Sequence, residues 1–320
     1  MKAALSSVSR NTSCWQFACP ACHAPLDSPA TDGAGIRCPN CAVVYERRDG
    51  VLSLLAPKRR EYFSQFLREY THIRLAEGRG AQPPAYFQRL PECDPSHPMA
   101  PQWHIRKCTV KAFDRLVAPS LLPGSKVLDL GAGCGWFSHH LARLGHHPCA
   151  MDITTDEQDG LGAARHYDPE WPCVQAEFDR LPFPDRSVDV VVYNASLHYS
   201  TDYARTLREA LRVLDAGGQI VVLESPIYKR NESGARMAKE RHELFATTYG
   251  TRSDSIPSIE YLTWDMLKAL GRELGLSWKI VRPWYGWKWA MRPWIARWKR
   301  KREPSRFAIL VAERAQSLGQ

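Results

Sequence analysis

The chain has 320 residues, enough for one large or two unequal domains with a real core. Its 43 Lys and Arg against 34 Asp and Glu give a formal charge of +9, and four of its ten cysteines cluster while six are scattered singly, which favours a reducing compartment and a metal site over a disulfide framework. No run approaches 18 apolar residues and residues 1–17 lack an apolar core of signal-peptide length, so a cytoplasmic protein is expected.

Residues 1–13 are polar and read as loose. Cys19-Pro-Ala-Cys22 and Cys38-Pro-Asn-Cys41 follow, two CxxC knuckles separated by fifteen residues. This spacing brings four thiolates into a tetrahedron around Zn²⁺, with a Gly-rich turn (32–35) between the knuckles. After the second knuckle, 43–55 reads as strand, turn and strand, which closes a zinc ribbon over 14–56. Redox-active CxxC pairs are the alternative. The ribbon resembles the small activator that partners tRNA and translation-factor methyltransferases. It is also similar to the N-terminal ribbon of large-subunit rRNA guanine methyltransferases, which implies RNA as a candidate partner.

A helical lead-in occupies 57–120. Tyr62, Phe63, Phe66, Leu67 and Tyr70 recur at helical spacing, 78–101 is rich in Gly and Pro and reads as an ordered loop or lid, and Trp103 to Leu116 reads as a further helix. The remainder, 121–320, alternates strand and helix. Strands are expected near 126–132, 147–152, 172–178, 188–195, 218–224, 277–282 and 306–312, with helices near 135–145, 157–166, 202–214 and 263–274. Such alternation implies a parallel α/β sheet. Insertions at 225–258, containing a charged helix, and at 284–304 leave the carboxyl ends of strands, where open α/β sheets bind ligands.

Lys126-Val-Leu-Asp-Leu-Gly-Ala-Gly-Cys-Gly135 carries the most chemistry. An apolar strand runs into three glycines spaced GxGxG, a helix opens at Gly135, and Asp152 falls 21 residues after Gly131, at the end of the next strand. Tight strand-to-helix turns with free amides, followed by a carboxylate positioned for ribose hydroxyls, form a nucleoside-cofactor pocket. Dinucleotide folds place the third glycine one residue later for close helix packing, where this chain has Trp136. Asp129, two residues before the first glycine, would repel a pyrophosphate and suits a cationic ligand.

The pattern resembles motif I of the class I S-adenosylmethionine (SAM) methyltransferases. Glu177 to Pro184, then Ser187 to Asn194, is similar to the acidic loop and fourth strand of that superfamily, and Leu207 to Glu224 to its following helix, turn and fifth strand. The resemblance covers about 125–313 and implies a Rossmann-like, seven-stranded sheet whose last strand returns antiparallel. Its nearest flavour is the small-molecule branch that includes quinone-biosynthesis C-methyltransferases. It implies SAM as cofactor, held by Asp129, Gly131, Ala132, Gly133, Gly135, Asp152, Ile153, Glu177, Phe178 and Asn194, with Glu177 in place of the usual Asp that accepts the adenine amino group. It also implies that the 103–116 helix lies over the cofactor cleft.

Asn194, His198 and Tyr199 lie at and after the end of strand four, beside the expected position of the transferable methyl. His198 is the candidate base, since imidazole titrates near neutrality; the alternative is a histidine that packs in the pocket wall. Trp103, Arg106 and Tyr228 are further candidate substrate contacts. The Asn/Asp-Pro-Pro-Tyr/Phe motif of related base-amino methyltransferases is replaced by Asn194-Ala-Ser-Leu-His198, which argues against adenine N6 and cytosine N4 acceptors, and no DNA partner is expected.

The charge is local. Residues 278–303 hold nine Lys or Arg, one acid and six of the eleven tryptophans, a net of +8, so the rest of the chain sums to about +1. Trp287, Met291, Trp294 and Trp298 share one helical face, Lys299-Arg-Lys-Arg302 follows, and Pro293 weakens or kinks the helix. Three readings stand: a tryptophan face packed on the domain, peripheral contact with anionic membrane through 284–302, and RNA contact by stacking. The leading function is methyl transfer from SAM to a small, hydrophobic or membrane-associated metabolite. The alternatives are an rRNA or tRNA methyltransferase and a non-catalytic protein that retains the fold.

Overall fold

The computed structural model describes residues 14–27 and 35–315; the loose start expected for 1–13 and most of the Gly-rich turn lie outside them. The first knuckle carries the hairpin β1 (Phe17–Ala18) and β2 (Pro25–Leu26), and the second leads from β3 (Gly35–Arg37) into β4 (Val44–Arg48) and β5 (Val51–Ser53). The lead-in is helical: α1 (Pro57–Ala76), α2 (Pro84–Arg89) within the expected loop, and α3 (Ala100–Leu116). Each opens on a proline in its first turn, where no backbone N–H is needed.

The α/β part runs β6 (Lys126–Leu130), α4 (Trp136–Arg143), β7 (His147–Asp152), β8 (Cys173–Gln175), β9 (Val188–Asn194), α5 (Tyr203–Val213) and β10 (Leu214–Leu223). The first insertion holds β11 (Ile227–Tyr228) and α6 (Asn231–Tyr249), and β12 (Leu262–Thr263), α7 (Trp264–Leu274) and β13 (Leu276–Val281) follow. The second insertion holds α8 (Trp287–Ala290) and α9 (Arg292–Trp298) before β14 (Ile309–Arg314).

One sheet organises the molecule. Its order is β13-β14-β10-β9-β6-β7-β8-β5-β4-β3, and β14 is antiparallel to both β10 and β13. The seven strands from β13 to β8 form the expected Rossmann-like sheet. Beyond them β5 pairs parallel with β8, so the ribbon extends the sheet to ten strands. Central strands are buried on both faces: in β6, Val127 enters one core cluster while Leu128 and Leu130 enter the other. Trp15, Phe17 and Tyr45 of the ribbon share a cluster with Phe183 and Val191, and Trp15 meets Phe183 edge-on at 5.5 Å. Side-chain caps start two core helices: Asp202 accepts from the Arg205 amide and Thr263 from the Met266 amide, both at 3.1 Å.

Three expectations are corrected. The helix near 157–166 is a 3₁₀ segment, Leu161–Tyr167. Asp156 Oδ1 accepts the amides of Gln158 and Asp159, both at 2.9 Å, and these local bonds postpone helix formation. The third strand stops at Gln175, because Glu177 turns aside to meet Arg59 of α1. The tryptophan helix is two short helices, broken at Met291 with Pro293 in the first turn of the second.

Candidate active-site cleft and cysteine centre

The carboxyl ends of β6, β7, β8 and β9 open into a cleft of about 1250 Å³, its mouth included. Its floor is the glycine turn. Gly131 has φ +76°, and a Cβ there would lie 2.3 Å from the Cβ of Ser196, so only glycine lets this turn pass the β9 loop. Ser196 Oγ in turn donates to the Leu130 carbonyl at 2.5 Å. The Gly133 amide donates to Asp152 Oδ2 at 2.8 Å and the Thr154 amide to Oδ1 at 2.9 Å, so Asp152 is locked against the cradle with one face toward the cleft. Burial raises the Asp152 pKa, opposed by those amide hydrogen bonds.

Of the sequence-derived cofactor residues, Gly131, Ala132, Gly133, Asp152, Ile153, Glu177, Phe178 and Asn194 line the cleft together with Tyr199. Asp129 and Gly135 stand behind it. Gly135, φ +78°, caps α4, and a Cβ there would meet the Trp171 ring at 2.7 Å, so packing rather than ligand contact demands this glycine. Asp129 is fully buried; Oδ2 accepts from Ser138 Oγ at 2.7 Å while Oδ1 has no partner. Desolvation pushes its pKa up to about 7, with Asp152 adding repulsion. An orphaned buried carboxylate oxygen beneath an open turn is what a cationic ligand would satisfy.

Glu177 departs from its expected role. Arg59 Nε donates to its Oε1 at 2.9 Å and Arg59 Nη2 to its Oε2 at 2.6 Å, a fork that occupies the carboxylate assigned to an adenine amino group. The roof of the cleft differs too. Helix α1, rather than the 103–116 helix alone, covers it, presenting Arg59, Tyr62, Phe63, Phe66, Tyr70 and Arg74. From α3 only Arg106 reaches the lining. Trp103 is buried, donating to Tyr86 Oη at 2.8 Å and meeting Trp136 edge-on at 5.5 Å, and Tyr228 is buried beside Arg302. Neither of the two reaches the cleft.

His198 is also corrected. It is absent from the lining, its ring packs on Tyr199 with centroids 4.7 Å apart, and its Nδ1 has no partner. Desolvation, then Arg241 and Arg74, lowers its pKa to about 3. A base so weak holds no proton near neutrality and has little drive to take one.

Sequence reasoning missed Arg59, Arg74 and Arg79 of the lining and named only Arg106, as a substrate contact. Arg74 and Arg79 flank Asp159 at 3.6 and 3.9 Å, Arg74 Nη2 donates to Tyr70 Oη at 2.6 Å, and Arg79 bonds Gln102. Arg106 stacks on Trp103 at 4.4 Å, and its Nε lies 3.9 Å from Glu224 without a hydrogen-bond partner. Positions 59, 66, 70 and 74 form one helical stripe, so extending the aromatic periodicity of 62–70 by a turn each way would have reached both arginines. Carboxylates under the glycine turn, guanidinium groups at its flank and aromatic side chains above make a donor set fitting a ligand that is cationic, anionic and aromatic in different parts. SAM is such a molecule.

At the far end of the sheet the sulfurs of Cys19, Cys22, Cys38 and Cys41 lie within 4.8 Å of one another. Cys19 to Cys41 and Cys22 to Cys38 are each 3.5 Å apart, close to the roughly 3.8 Å edge of a tetrahedron with 2.3 Å metal–sulfur bonds. The buried Tyr45 hydroxyl touches Cys19 Sγ at 3.1 Å and supports the cluster from behind. None of the ten cysteines is joined in a disulfide.

Residues 128–222 match a family model described as a methyltransferase domain. A malonyl-[acyl-carrier protein] O-methyltransferase of Erwinia billingiae is 35% identical over 31% of this chain and 38% of its own. A ubiquinone/menaquinone biosynthesis C-methyltransferase of Vibrio campbellii is 35% identical over 32% of this chain and 42% of its own. The chain thus spans about two-fifths of the length of the curated relatives it matches. A solved chain in the complex of the Haloferax volcanii Trm112 methyltransferase activator has 20% identity and a TM-score of 0.48, over 68% of this chain and 92% of that one. Family match and curated relatives fall together on the stretch that forms the floor of the cleft and support a methyltransferase domain there.

Proposed function

We propose that the chain transfers a methyl group from SAM to a small, amphiphilic metabolite. The observation that carries the reading is the cradle: Gly131 pressed against Ser196, Gly133 bonded to Asp152, and the unpartnered oxygen of Asp129 below. The names of the curated relatives, one acting on an acyl-carrier substrate and one on quinone precursors, support a small-molecule acceptor.

When bound, SAM supplies an electrophilic methyl on a sulfonium, so the protein's task is alignment and exclusion of water, on the order of 7–11 kcal/mol in favourable cases. Asp152 suits the ribose hydroxyls, while Asp129 offers charge to the cationic end of the cofactor. Arg74, Arg79 and Arg106 suit its carboxylate. Phe63, Phe66 and Tyr70 of α1 close the roof against water. Asn194 and Tyr199 line the mouth after β9 and orient the acceptor. Proton removal is left to the acceptor itself or to solvent, since His198 sits in the wall.

The cysteine cluster is proposed to hold structural Zn²⁺. Its tetrahedral spacing and the Tyr45 contact support this, and the metal would fix the ribbon strands that continue the sheet. An RNA acceptor is the second reading, in which the exposed tryptophans and cations of 284–302 would grip the nucleic acid by stacking and charge. Methyl-labelled SAM, purified protein and an extract of cells lacking the gene decide between the two. Label in the organic or small-molecule fraction is expected; label in RNA would replace the metabolite reading, and no label together with no SAM binding would leave a non-catalytic fold.

A further inference from the structure

The second insertion has two faces of opposite character. Its inner face is anchored: Tyr285 is buried and bonds Thr109 Oγ1 at 3.0 Å, Trp289 packs on Tyr285 and Phe307 at 5.0 and 5.3 Å, and Arg292 stacks on Trp289 at 3.8 Å. Its outer face is bare. Trp287, Trp294 and Trp298 are 77%, 74% and 83% exposed, and Trp284, Met291 and Ile295 are exposed beside them. An exposed apolar patch built on an anchored base is a binding surface rather than a loosely packed core. Eight Lys or Arg and no acid occur in residues 282–302, and Lys288, Arg297, Lys299, Arg300 and Lys301 are themselves exposed.

We infer that this face docks the protein on an anionic lipid bilayer, with the indoles seated at headgroup level and the cations meeting lipid phosphates. The chemistry is specific in two ways. Indole rings, apolar in body with one N–H donor, suit the interface, where that donor finds a partner. Clustered cations gain about 1 kcal/mol each near an anionic surface, roughly fivefold per charge. Met291 and Ile295 have no stacking plane for a nucleobase but add apolar area for lipid, which favours a bilayer over RNA.

Placement connects this surface to the cleft. Strand β13 is antiparallel to β14, and β14 to β10, so β13 runs parallel to β10 and delivers the insertion from the sheet edge that opens the cleft. Tyr285 is bonded to Thr109, one turn along α3 from Arg106, which lines the cleft. A protein seated through its tryptophans therefore holds the mouth of the cleft close to the lipid surface, where amphiphilic molecules concentrate.

The test uses the whole protein and vesicles of phosphatidylcholine, pure or with roughly one-third phosphatidylglycerol. Co-sedimentation with the anionic vesicles is expected, at least about tenfold weaker with the neutral ones, with a blue shift of tryptophan emission on binding. The triple variant Trp287→Ser, Trp294→Ser, Trp298→Ser should lose about tenfold or more in vesicle affinity. Because the wild-type emission shift is read without any variant, a folding defect in the triple variant does not spoil the test. Absence of binding to anionic vesicles overturns the inference. So does vesicle binding unchanged in the triple variant, which would reduce it to diffuse attraction, or retention only on single-stranded RNA, which would make the face a base-stacking platform. None of these readouts involves methyl transfer, so failure here leaves the cofactor reading standing.

Discussion

Helix α1 and the pair α8–α9 draw on the same residue types and end in opposite situations. Each carries aromatic rings and arginines at helical spacing. In α1, Phe63 and Phe66 are buried and Arg59 is forked onto Glu177. In α8–α9 Trp287, Trp294 and Trp298 stand in solvent and the cations have no acidic residue beside them in sequence. What separates the two is the partner: α1 faces a cleft with its own carboxylates and an aromatic wall, while the outer side of α8–α9 meets nothing among the described residues. An aromatic and basic stripe therefore does not declare whether it is lining or docking surface. The carboxylates opposite it do.

The largest expected effect breaks the comparison at its base. Helix α1 starts four residues after β5, which pairs with β8, and the ribbon behind β5 closes on the four cysteines. Stripping the proposed Zn²⁺ with a chelator, or Cys38→Ser, should lower the melting temperature by about 10 °C or more. Cofactor affinity should fall in calorimetric titration as the roof loses its anchor. Vesicle binding through α8–α9 should survive in whatever fraction stays folded. Equal loss of both would mean that the faces are not separable.

The Arg59–Glu177 fork is the next point at which the comparison can be broken. Glu177 is 7% exposed and Arg59 31%, so Arg59→Ala strands a buried carboxylate with only Arg180 at 3.9 Å. A loss of about 2 kcal/mol in denaturant unfolding is expected, discounted for the partly wet arginine. Glu177→Gln added to Arg59→Ala should recover part of it, whereas Arg300→Ala on the outer face should change stability by less than about 0.5 kcal/mol.

How far the sequence reached follows the same line. The alternation of strand and helix, the glycine turn, Asp152 and the cysteine cluster could be read, because each is a local pattern with one physical solution: glycines where a Cβ has no room, thiols at knuckle spacing. The continuation of the sheet into the ribbon was not legible, since β5 is only three residues long and its partner β8 lies 122 residues away. Nor was the fork on Glu177, for the resemblance supplied a role for the acid while the competing arginine sits 118 residues earlier. His198 was misplaced because neutrality of a free imidazole says nothing about burial, and burial beside Arg241 and Arg74 is what lowers its pKa to about 3.

A pH series probes the floor beneath α1. Asp129 has its folded pKa raised to about 7 from 3.8 by burial. A raised carboxyl contributes stability below its unfolded pKa and loses it as pH rises through the folded one, here between about 4 and 7, by up to about 4 kcal/mol. A cationic ligand reverses the preference by stabilising the ionised form. SAM affinity should thus rise between about pH 6 and pH 8 with proton release on binding, and Asp129→Asn should flatten both the stability and the affinity profiles. A profile unchanged by Asp129→Asn would place the titrating group elsewhere, Asp152 first.

The smallest expected effect, that of Trp298→Ala, is the sharpest discriminator. Phe66→Ala removes a buried ring from the roof and should cost about 2–4 kcal/mol, while Trp298→Ala removes a larger ring that is 83% exposed and should shift stability by less than about 0.5 kcal/mol. Ring size predicts the reverse order, so the pair separates burial from chemistry. A Trp298→Ala cost above about 1 kcal/mol would mean that the outer face is covered in solution, by a second copy or by residues outside 14–27 and 35–315, and concentration-dependent unfolding would tell these apart. A null effect on stability joined to a measurable loss of vesicle affinity is the signature of a surface kept for a partner, since the exposed indole then contributes nothing to the fold that displays it.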